Sequence, residues 1–485
     1  MSEDSAPSAK RRKTNFSDAR SASTGSLNKG VRSTAITEPA LPEDLRLGCF
    51  EILEAPAPKK KERRSEAAKE KPKPPASPPD AMPKAAAEEV TQEAGSAASA
   101  AAKAAASKQS SKPTAAELAA KAAAAATKLA KEKEQNQRRE REYFKPYIGE
   151  PCGPGNRFLV EGPLGRGSFS SVYRCSDSKG GGKEYAVKFI RDNPGLRKAT
   201  EVEVKLMRRI RTRAVEKDSE GAAFLLGLAN LETFLHNGHL ALVFHLQRYD
   251  MRSALKRQVQ EKNSGFPLKD VQRYAGNVLL ALRALWAIRI IHTDIKPDNL
   301  LLSLDKDSVK LSDFGCAIDT QESMQAAHIR RAYASSYRPP EIILGQSFST
   351  RADMWSAGAT LFELASGHVL FPEAANNAML LDILRTCGAF KKQFAVSGKH
   401  ALKHFTTQGA FRRRTKSGSE QQLSMSQFTA PSQPVPTRLR NVVQDVLLEP
   451  FADLLTQACL VPDPAKRSSA EAALRHPFLK MRRSG

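Results

Sequence analysis

Aromatic and other large apolar positions are sparse up to about residue 140, and aromatic and β-branched residues recur regularly from about residue 155 onward. The early stretch is rich in Ala, Ser, Pro, Lys and Glu, with too little apolar surface to offset the entropy of ordering it. Residues 1–140 therefore read as a disordered, basic, Ala/Lys/Pro-rich arm. Near its end, Thr114-Ala115-Ala116-Glu117 after Pro113 forms a capping box, and the Ala/Lys/Glu run behind it predicts a helix over 114–142. Its faces are mostly alanine and charge, so it reads as a solvent helix and not a core element.

Beyond the arm the pattern changes to short β-type runs and then longer helical periods. Two such runs flank Leu164-Gly165-Arg166-Gly167-Ser168-Phe169-Ser170-Ser171-Val172-Tyr173. Gly180-Gly181-Gly182 supplies a hairpin turn before the strand Glu184-Tyr185-Ala186-Val187-Lys188-Phe189-Ile190. Glu203 lies beside the stripe Leu206, Met207 and Ile210, whose spacing is helical. His239 to Phe244 is an apolar strand leading into His245-Leu246-Gln247, and Asp353-Met354-Trp355 opens an apolar helix. A β-rich front with one helix, followed by a mainly helical body, is an α+β pattern within one large folded unit.

The chemistry sits on these elements. Lysine inside an apolar strand is costly without a partner, and Glu203 on the next helix is the partner available to Lys188. The alternative for such a lysine is a strand edge with its ammonium in water. Glycines at 165 and 167 let a hairpin backbone lie close over phosphates, although a lone Gly-x-Gly is more often a simple turn and Ser170 stands where a third glycine would complete the motif. The stretch Ile291-His292-Thr293-Asp294-Ile295-Lys296-Pro297-Asp298-Asn299 is followed, one hairpin later, by Asp313-Phe314-Gly315. It brings together an acid for a hydroxyl proton, Asp294, a cation for growing phosphoryl charge, Lys296, and two hard oxygen ligands for Mg²⁺, Asn299 and Asp313.

Charge and cysteine content narrow the setting. The net charge is +24, with about +7 in residues 1–150 and about +17 in the remainder. The folded part is itself basic, which fits either a solvated surface or attraction to acidic partners and ribonucleoprotein. Lys10 to Lys13 and Lys59 to Arg64 are basic clusters of the kind found in nuclear-import signals or nucleic-acid patches, and Ser77-Pro78 sits in proline-stiffened linker. The six cysteines show no Cys-x-x-Cys spacing, as expected of free thiols in a reducing compartment. No apolar run is long enough for a membrane span and the N-terminus lacks a signal-peptide pattern, so a soluble intracellular protein without membrane attachment is expected.

In order and spacing these residues resemble a protein kinase. The Asp-Ile-Lys-Pro-Asp-Asn run carries the serine/threonine mark, and Tyr337-Arg338-Pro339-Pro340-Glu341-Ile342-Ile343-Leu344-Gly345 looks like the corresponding run of CMGC kinases. Within that group the chain is similar to the spliceosomal pre-mRNA-processing-factor-four kinase family. The matching residues are His292 to Asn299, Leu370-Phe371-Pro372 with Asn376-Asn377, and the lead-in Tyr143 with Ile148-Gly149-Glu150. The resemblance implies a lead-in at 143–154 and a kinase domain at 155–482. That domain divides into a small lobe at 155–244, a hinge at 245–247 and a large lobe at 248–482, with a CMGC-type insert at about 386–440.

It also implies ATP and Mg²⁺, with Mn²⁺ as a substitute. Leu164, Gly165, Gly167, Ser168, Phe169, Val172 and Ala186 would enclose the nucleotide, and Lys188 paired with Glu203 would align its phosphates. Phe244 would be the gatekeeper, and His245 and Gln247 would meet the adenine edge. Asp294 and Lys296 are the implied catalytic residues, and Asn299 and Asp313 the metal ligands. Phe314, Gly315, Tyr333, Glu341, Asp353 and Arg467 would hold the activation segment and fold, Arg467 through a buried pair with Glu341. Implied partners are protein substrates among splicing factors in the nucleus, with a monomeric catalytic domain and a ribonucleoprotein association through arm or insert.

Three positions depart from the family pattern. Thr293 replaces an arginine that normally receives an activation-loop phosphate, Arg331 stands at the usual activating tyrosine with Tyr333 nearby, and Ser335 replaces a further arginine. They imply an activation segment held without phosphate docking, and they leave a scaffold without catalysis as the alternative reading. The polar middle of the insert, with Lys391, Lys392, Lys399, Lys403, Arg412, Arg413, Arg414 and Lys416, reads as a solvated basic loop or a docking element.

Overall fold

The computed structural model describes residues 115–321, 334–373, 375–415 and 418–481. Helix α1 (Ala115–Arg141) occupies the span of the capping-box pattern, and from residue 123 onward its side chains are almost all exposed. The basic clusters near residues 10 and 60, Ser77 and Cys49 lie outside the described residues, as do Arg331 and Tyr333.

The small lobe is one antiparallel sheet of six strands. They are β1 (Pro151–Cys152), β2 (Phe158–Arg166), β3 (Ser170–Asp177), β4 (Glu184–Ile190), β5 (Leu228–His236) and β6 (His239–His245), in the order β1-β2-β3-β4-β6-β5. Strand alternation divides its faces. Tyr185, Val187 and Phe189 of β4 and Ala241 and Val243 of β6 join an outer cluster with Phe144, Phe158 and Phe234. Ala186 and Lys188 point the other way, as do Leu242 and Phe244, towards the interior shared with the large lobe. Helix α2 (Pro194–Lys217) packs on this side. Pro194 starts it, the Asn193 side chain caps its first turn by accepting from Gly195 and Leu196, and Val204, Met207 and Ile210 are buried.

The short α3 (Ser219–Ala222) follows α2 and precedes β5, and the large lobe then runs through β7 (Tyr249–Asp250), α4 (Met251–Lys262) and α5 (Leu268–Ala287). Two small ribbons then carry the chemistry. One pairs β8 (Ile290–Ile291) with β11 (Ile318–Asp319), and the other pairs β9 (Leu300–Leu302) with β10 (Val309–Leu311), with β7 along its edge. Helices α6 (Pro340–Leu344) and α7 (Arg351–Ser366) follow. Every residue from Ala352 to Ser366 is buried, so α7 is an axial helix that the rest of the lobe surrounds. No helix among the described residues is long and apolar enough to cross a membrane.

The insert differs from the solvated loop that its polar middle suggests. After α8 (Asn376–Cys387), the chain makes a hairpin of β12 (Phe411–Arg414) and β13 (Glu420–Leu423). Phe390, Phe405, Phe411, Leu423 and Phe428 are buried in the main core. The hydrophobic anchors are single phenylalanines spaced among charges, too dispersed to give a period. Asn377 pins the hairpin from α8: its amide donates to the Arg412 carbonyl at 2.9 Å and accepts from the Arg414 amide at 3.0 Å.

Candidate active site

The loop Ile291 to Asn299 is fixed from below by α7. Both oxygens of the buried Asp353 carboxylate accept backbone N–H groups, from His292 at 2.7 Å and Thr293 at 2.9 Å. His292 is fully buried. One ring nitrogen meets the Ser312 carbonyl at 3.0 Å, the other accepts from the Asp294 amide at 3.3 Å, and the ring stands edge-on to Phe314 at 5.3 Å. Phe314 is packed inward at 2% exposure. The loop and the Asp313-Phe314-Gly315 segment are thus joined through one imidazole.

Asp294 projects from this frame. Its Oδ2 accepts from the Lys296 ammonium at 2.8 Å and from the Asn299 amide nitrogen at 2.9 Å. Asn299 also donates to the Asp294 carbonyl at 2.7 Å. With its nitrogen committed to Asp294, the Asn299 amide presents its oxygen on the opposite side. Burial penalises the Lys296 charge, but Asp294, Asp298 and Asp313 outweigh it and raise the ammonium above its ordinary range.

Lys188 of β4 and Glu203 of α2 face each other with Nζ to Oε1 at 3.9 Å, both largely buried. Burial alone would discharge the lysine, yet the carboxylates of Glu203 and Asp313 raise its affinity for the proton and keep it cationic. Glu203 is itself raised, first by burial and then by the negative charge of Asp313, with Lys188 opposing. Two carboxylates and one buried ammonium therefore converge here, an arrangement short of positive charge. Among the described residues no group of three or more His, Cys, Asp or Glu side chains forms a cage for a metal. Asn299 and Asp313 together offer hard oxygens and few of them, which suits Mg²⁺ completed by phosphate and water.

The positions expected to enclose a nucleotide lie along the glycine-rich turn and the neighbouring strands. Val172 is in register with Gly165 on one side and Lys188 on the other, and Ala186 lies opposite Phe244. Gly165 and Gly167 are buried, Leu164 and Ser168 are half-buried, and Phe169 is partly buried against the main core. His245 stands at the rim, where partial desolvation of its ring and then the cations Lys310, Arg211 and Lys183 lower its proton affinity. The Gln247 side chain folds back and donates to the carbonyls of His245 at 3.2 Å and Leu246 at 3.0 Å.

The supporting residues are distributed as follows. Gly315 adjoins Asp313, whose Oδ1 lies 3.4 Å from the Gly315 amide. Arg467 and Glu341 are both fully buried and pair at 2.7 and 2.9 Å. Arg467 further donates to the carbonyls of Val461, Arg351 and Pro462, so all five of its N–H groups are used. Ser335 lies in the short turn before Tyr337. Thr293, held at φ 68°, donates its hydroxyl to the Cys316 carbonyl at 2.7 Å.

One cluster has no counterpart in the motif reading. Arg252 of α4 pairs with Glu363 of α7, reaches Asp298 at 3.3 Å and donates to the Tyr337 hydroxyl at 2.5 Å; that hydroxyl donates to Glu363 at 2.6 Å. It ties the end of the activation segment to the loop carrying Asp294. Arg252 and Glu363 are far apart in sequence and belong to no local pattern, so only the Tyr337 run hinted at it.

Residues 158–479 match the protein kinase domain family, and the chain belongs to that family. Curated relatives similar to it include the serine/threonine-protein kinase prp4 of Schizosaccharomyces pombe, 31% identical over 343 residues, 69% of this chain and 69% of the relative. They also include the serine/threonine-protein kinase prpf4B of Dictyostelium discoideum, 28% identical over 345 residues, 70% of this chain and 41% of the relative. A solved structure of the PF14_0431 kinase domain shares the fold, with a TM-score of 0.57 at 23% identity over 70% of this chain and 99% of that one. The chain is accordingly a serine/threonine protein kinase of the CMGC group, close to the Prp4 family.

Proposed function

We propose that this kinase transfers the γ-phosphoryl group of ATP, with Mg²⁺, to serine and threonine hydroxyls of pre-mRNA splicing factors in the nucleus. The observation that carries the chemical part is the Asp294 carboxylate, held by Lys296 and Asn299 in the same cleft as the Lys188–Glu203 pair and Asp313. Asp294 receives the proton of the attacking hydroxyl, and its fixed Oδ2 leaves the second oxygen to orient that hydroxyl. Lys296 offsets charge on the transferring group, and Lys188, kept cationic by its carboxylates, holds the nucleotide phosphates. Asn299 and Asp313 would hold Mg²⁺, which when bound neutralises phosphate charge, with Mn²⁺ able to take its place. The substrate class and the nuclear setting rest on similarity to the Prp4 kinases. Phosphosite mapping after incubation of purified splicing factors with the full chain tests them. Serine and threonine labelling of these factors well above an unrelated acidic protein supports the reading, and indiscriminate labelling contradicts it.

Activity is expected without a phosphate on the activation segment. Thr293 has no guanidinium to receive one, and its hydroxyl already binds the segment at Cys316. Turnover of the full chain should survive phosphatase treatment, whereas Thr293→Val, which removes that hydrogen bond worth about 1 kcal/mol, should lower it. A chain that phosphatase inactivates would contradict this.

The insert hairpin is proposed as a docking element for acidic partners or ribonucleoprotein. Arg412 pairs with Glu420 at 2.7 Å, and Arg414 is exposed beside it. Neutralising Arg412, Arg413 and Arg414 should weaken capture of protein substrates and steepen no salt dependence, while turnover of a short peptide stays as before. Collapse of peptide turnover would contradict a docking role.

A further inference from the structure

The segment just ahead of the kinase domain is bound to the glycine-rich turn. Phe144 anchors it: the ring is buried against Phe189 at 4.2 Å, and its carbonyl accepts from the Tyr173 hydroxyl at 3.1 Å. The Glu142 carbonyl accepts from the Asp192 amide at 2.8 Å, so the chain is fastened on both sides of Tyr143. From this position the Tyr143 hydroxyl donates to the Gly167 carbonyl at 2.7 Å, at the tip of the turn. The Arg166 guanidinium lies over the Tyr143 ring, 3.7 Å from its centroid, and pairs with Glu140 in the last turn of α1. Arg191, at the end of β4, lies 5.5 Å from the centroid of the same ring, and its amide donates to the Phe169 carbonyl at 3.0 Å. One tyrosine is thereby linked directly to Arg166 and Gly167 of the turn and through Arg191 to Phe169, and a carboxylate from α1 pairs with the same Arg166.

We infer that Tyr143 and Glu140 are positioning residues for the nucleotide: they hold the glycine-rich turn in the conformation that receives the phosphates. A turn of glycines and serines loses much backbone freedom when it closes on a ligand, and that loss weakens binding. A tether that orders the turn beforehand removes part of it. The effect belongs to the phosphates, because the turn covers them, while the adenosine end is enclosed by Ala186, Phe244 and the hinge. The inference rests on the proposed nucleotide role of the glycine-rich turn.

Calorimetric titration of the full chain with MgATP and, separately, with adenosine tests it. Tyr143→Phe keeps the ring between its two arginines and removes only the hydroxyl; Glu140→Gln removes the charge from an exposed residue and so cannot compromise folding. Each variant is expected to bind MgATP about three- to tenfold more weakly, the effect of one lost hydrogen bond or charged contact, with adenosine affinity and the KM for a peptide substrate unchanged. Unaltered MgATP affinity in both variants overturns the inference, as does an equal loss for MgATP and adenosine, which would mark a general loosening of the lobe. A failure of the underlying reading looks different: the unaltered chain itself would bind MgATP no better than adenosine, and the inference would fall with it.

Discussion

Asp294→Asn is expected to cut turnover by about 10²–10⁴-fold, the usual worth of a positioned general base, with little change in nucleotide affinity or melting temperature. The substitution preserves shape but not proton capacity. Its geometry makes the loss worse. Lys296 and Asn299 both donate to Oδ2, so an amide in this place must turn its oxygen toward them. Its NH₂ then faces the substrate hydroxyl, where a donor opposes the proton transfer that the carboxylate would accept. Single-turnover labelling of a peptide at saturating MgATP separates this from a binding effect. Turnover within about tenfold of the unaltered chain would mean that Asp294 orients the substrate and does not take its proton.

Arg467→Leu is expected to cost about 3–5 kcal/mol of folding stability, the range for breaking a buried ion pair by removing one partner. Whole domains are stable by about 5–15 kcal/mol, so the variant should be markedly less stable and less abundant. The cause is the charge left behind. Glu341 is fully buried, and its two strong donors both come from Arg467. Three backbone carbonyls would lose a donor as well. Removing both charges in Glu341→Leu/Arg467→Leu should recover part of the loss, because no carboxylate then remains stranded. Equilibrium denaturation of the three chains measures it. A cost below about 1 kcal/mol for Arg467→Leu would equate the pair with a solvent-exposed salt bridge and contradict its burial.

Much of the small lobe was legible because a strand repeats every two residues. Lys188 inside an apolar strand called for a partner, Glu203 beside the following helical stripe was one within reach, and the kinase resemblance singled out the pair. The same holds for the short interval between Asp294, Lys296 and Asn299, where chain geometry forces neighbours together. Legibility failed where the contact depends on distant elements. The Arg252–Tyr337–Glu363 network joins three parts of the large lobe, and only Tyr337 belongs to a run that stands out locally. The insert looked polar because its core contribution comes from isolated phenylalanines such as Phe405 and Phe411, each of which needs the folded lobe to supply a pocket. Tyr143 was read as part of a family-like lead-in, yet nothing in its surroundings announced a bond to Gly167 across 24 residues.

These contacts share a consequence for activity. The cleft is assembled from pieces that are each restrained from outside it: Asp353 holds the loop of Asp294, Thr293 holds Cys316, and Tyr143 holds the glycine-rich turn. Such external restraint is the physical basis for expecting an active site that forms without an activating phosphate.

The most direct measurement is transfer of radiolabelled phosphate from ATP by the full chain, with and without Mg²⁺, followed by identification of the labelled amino acids. Label on serine and threonine that requires the divalent ion is the predicted result. Tight nucleotide binding without any transfer would contradict the account and leave the cleft as a scaffold.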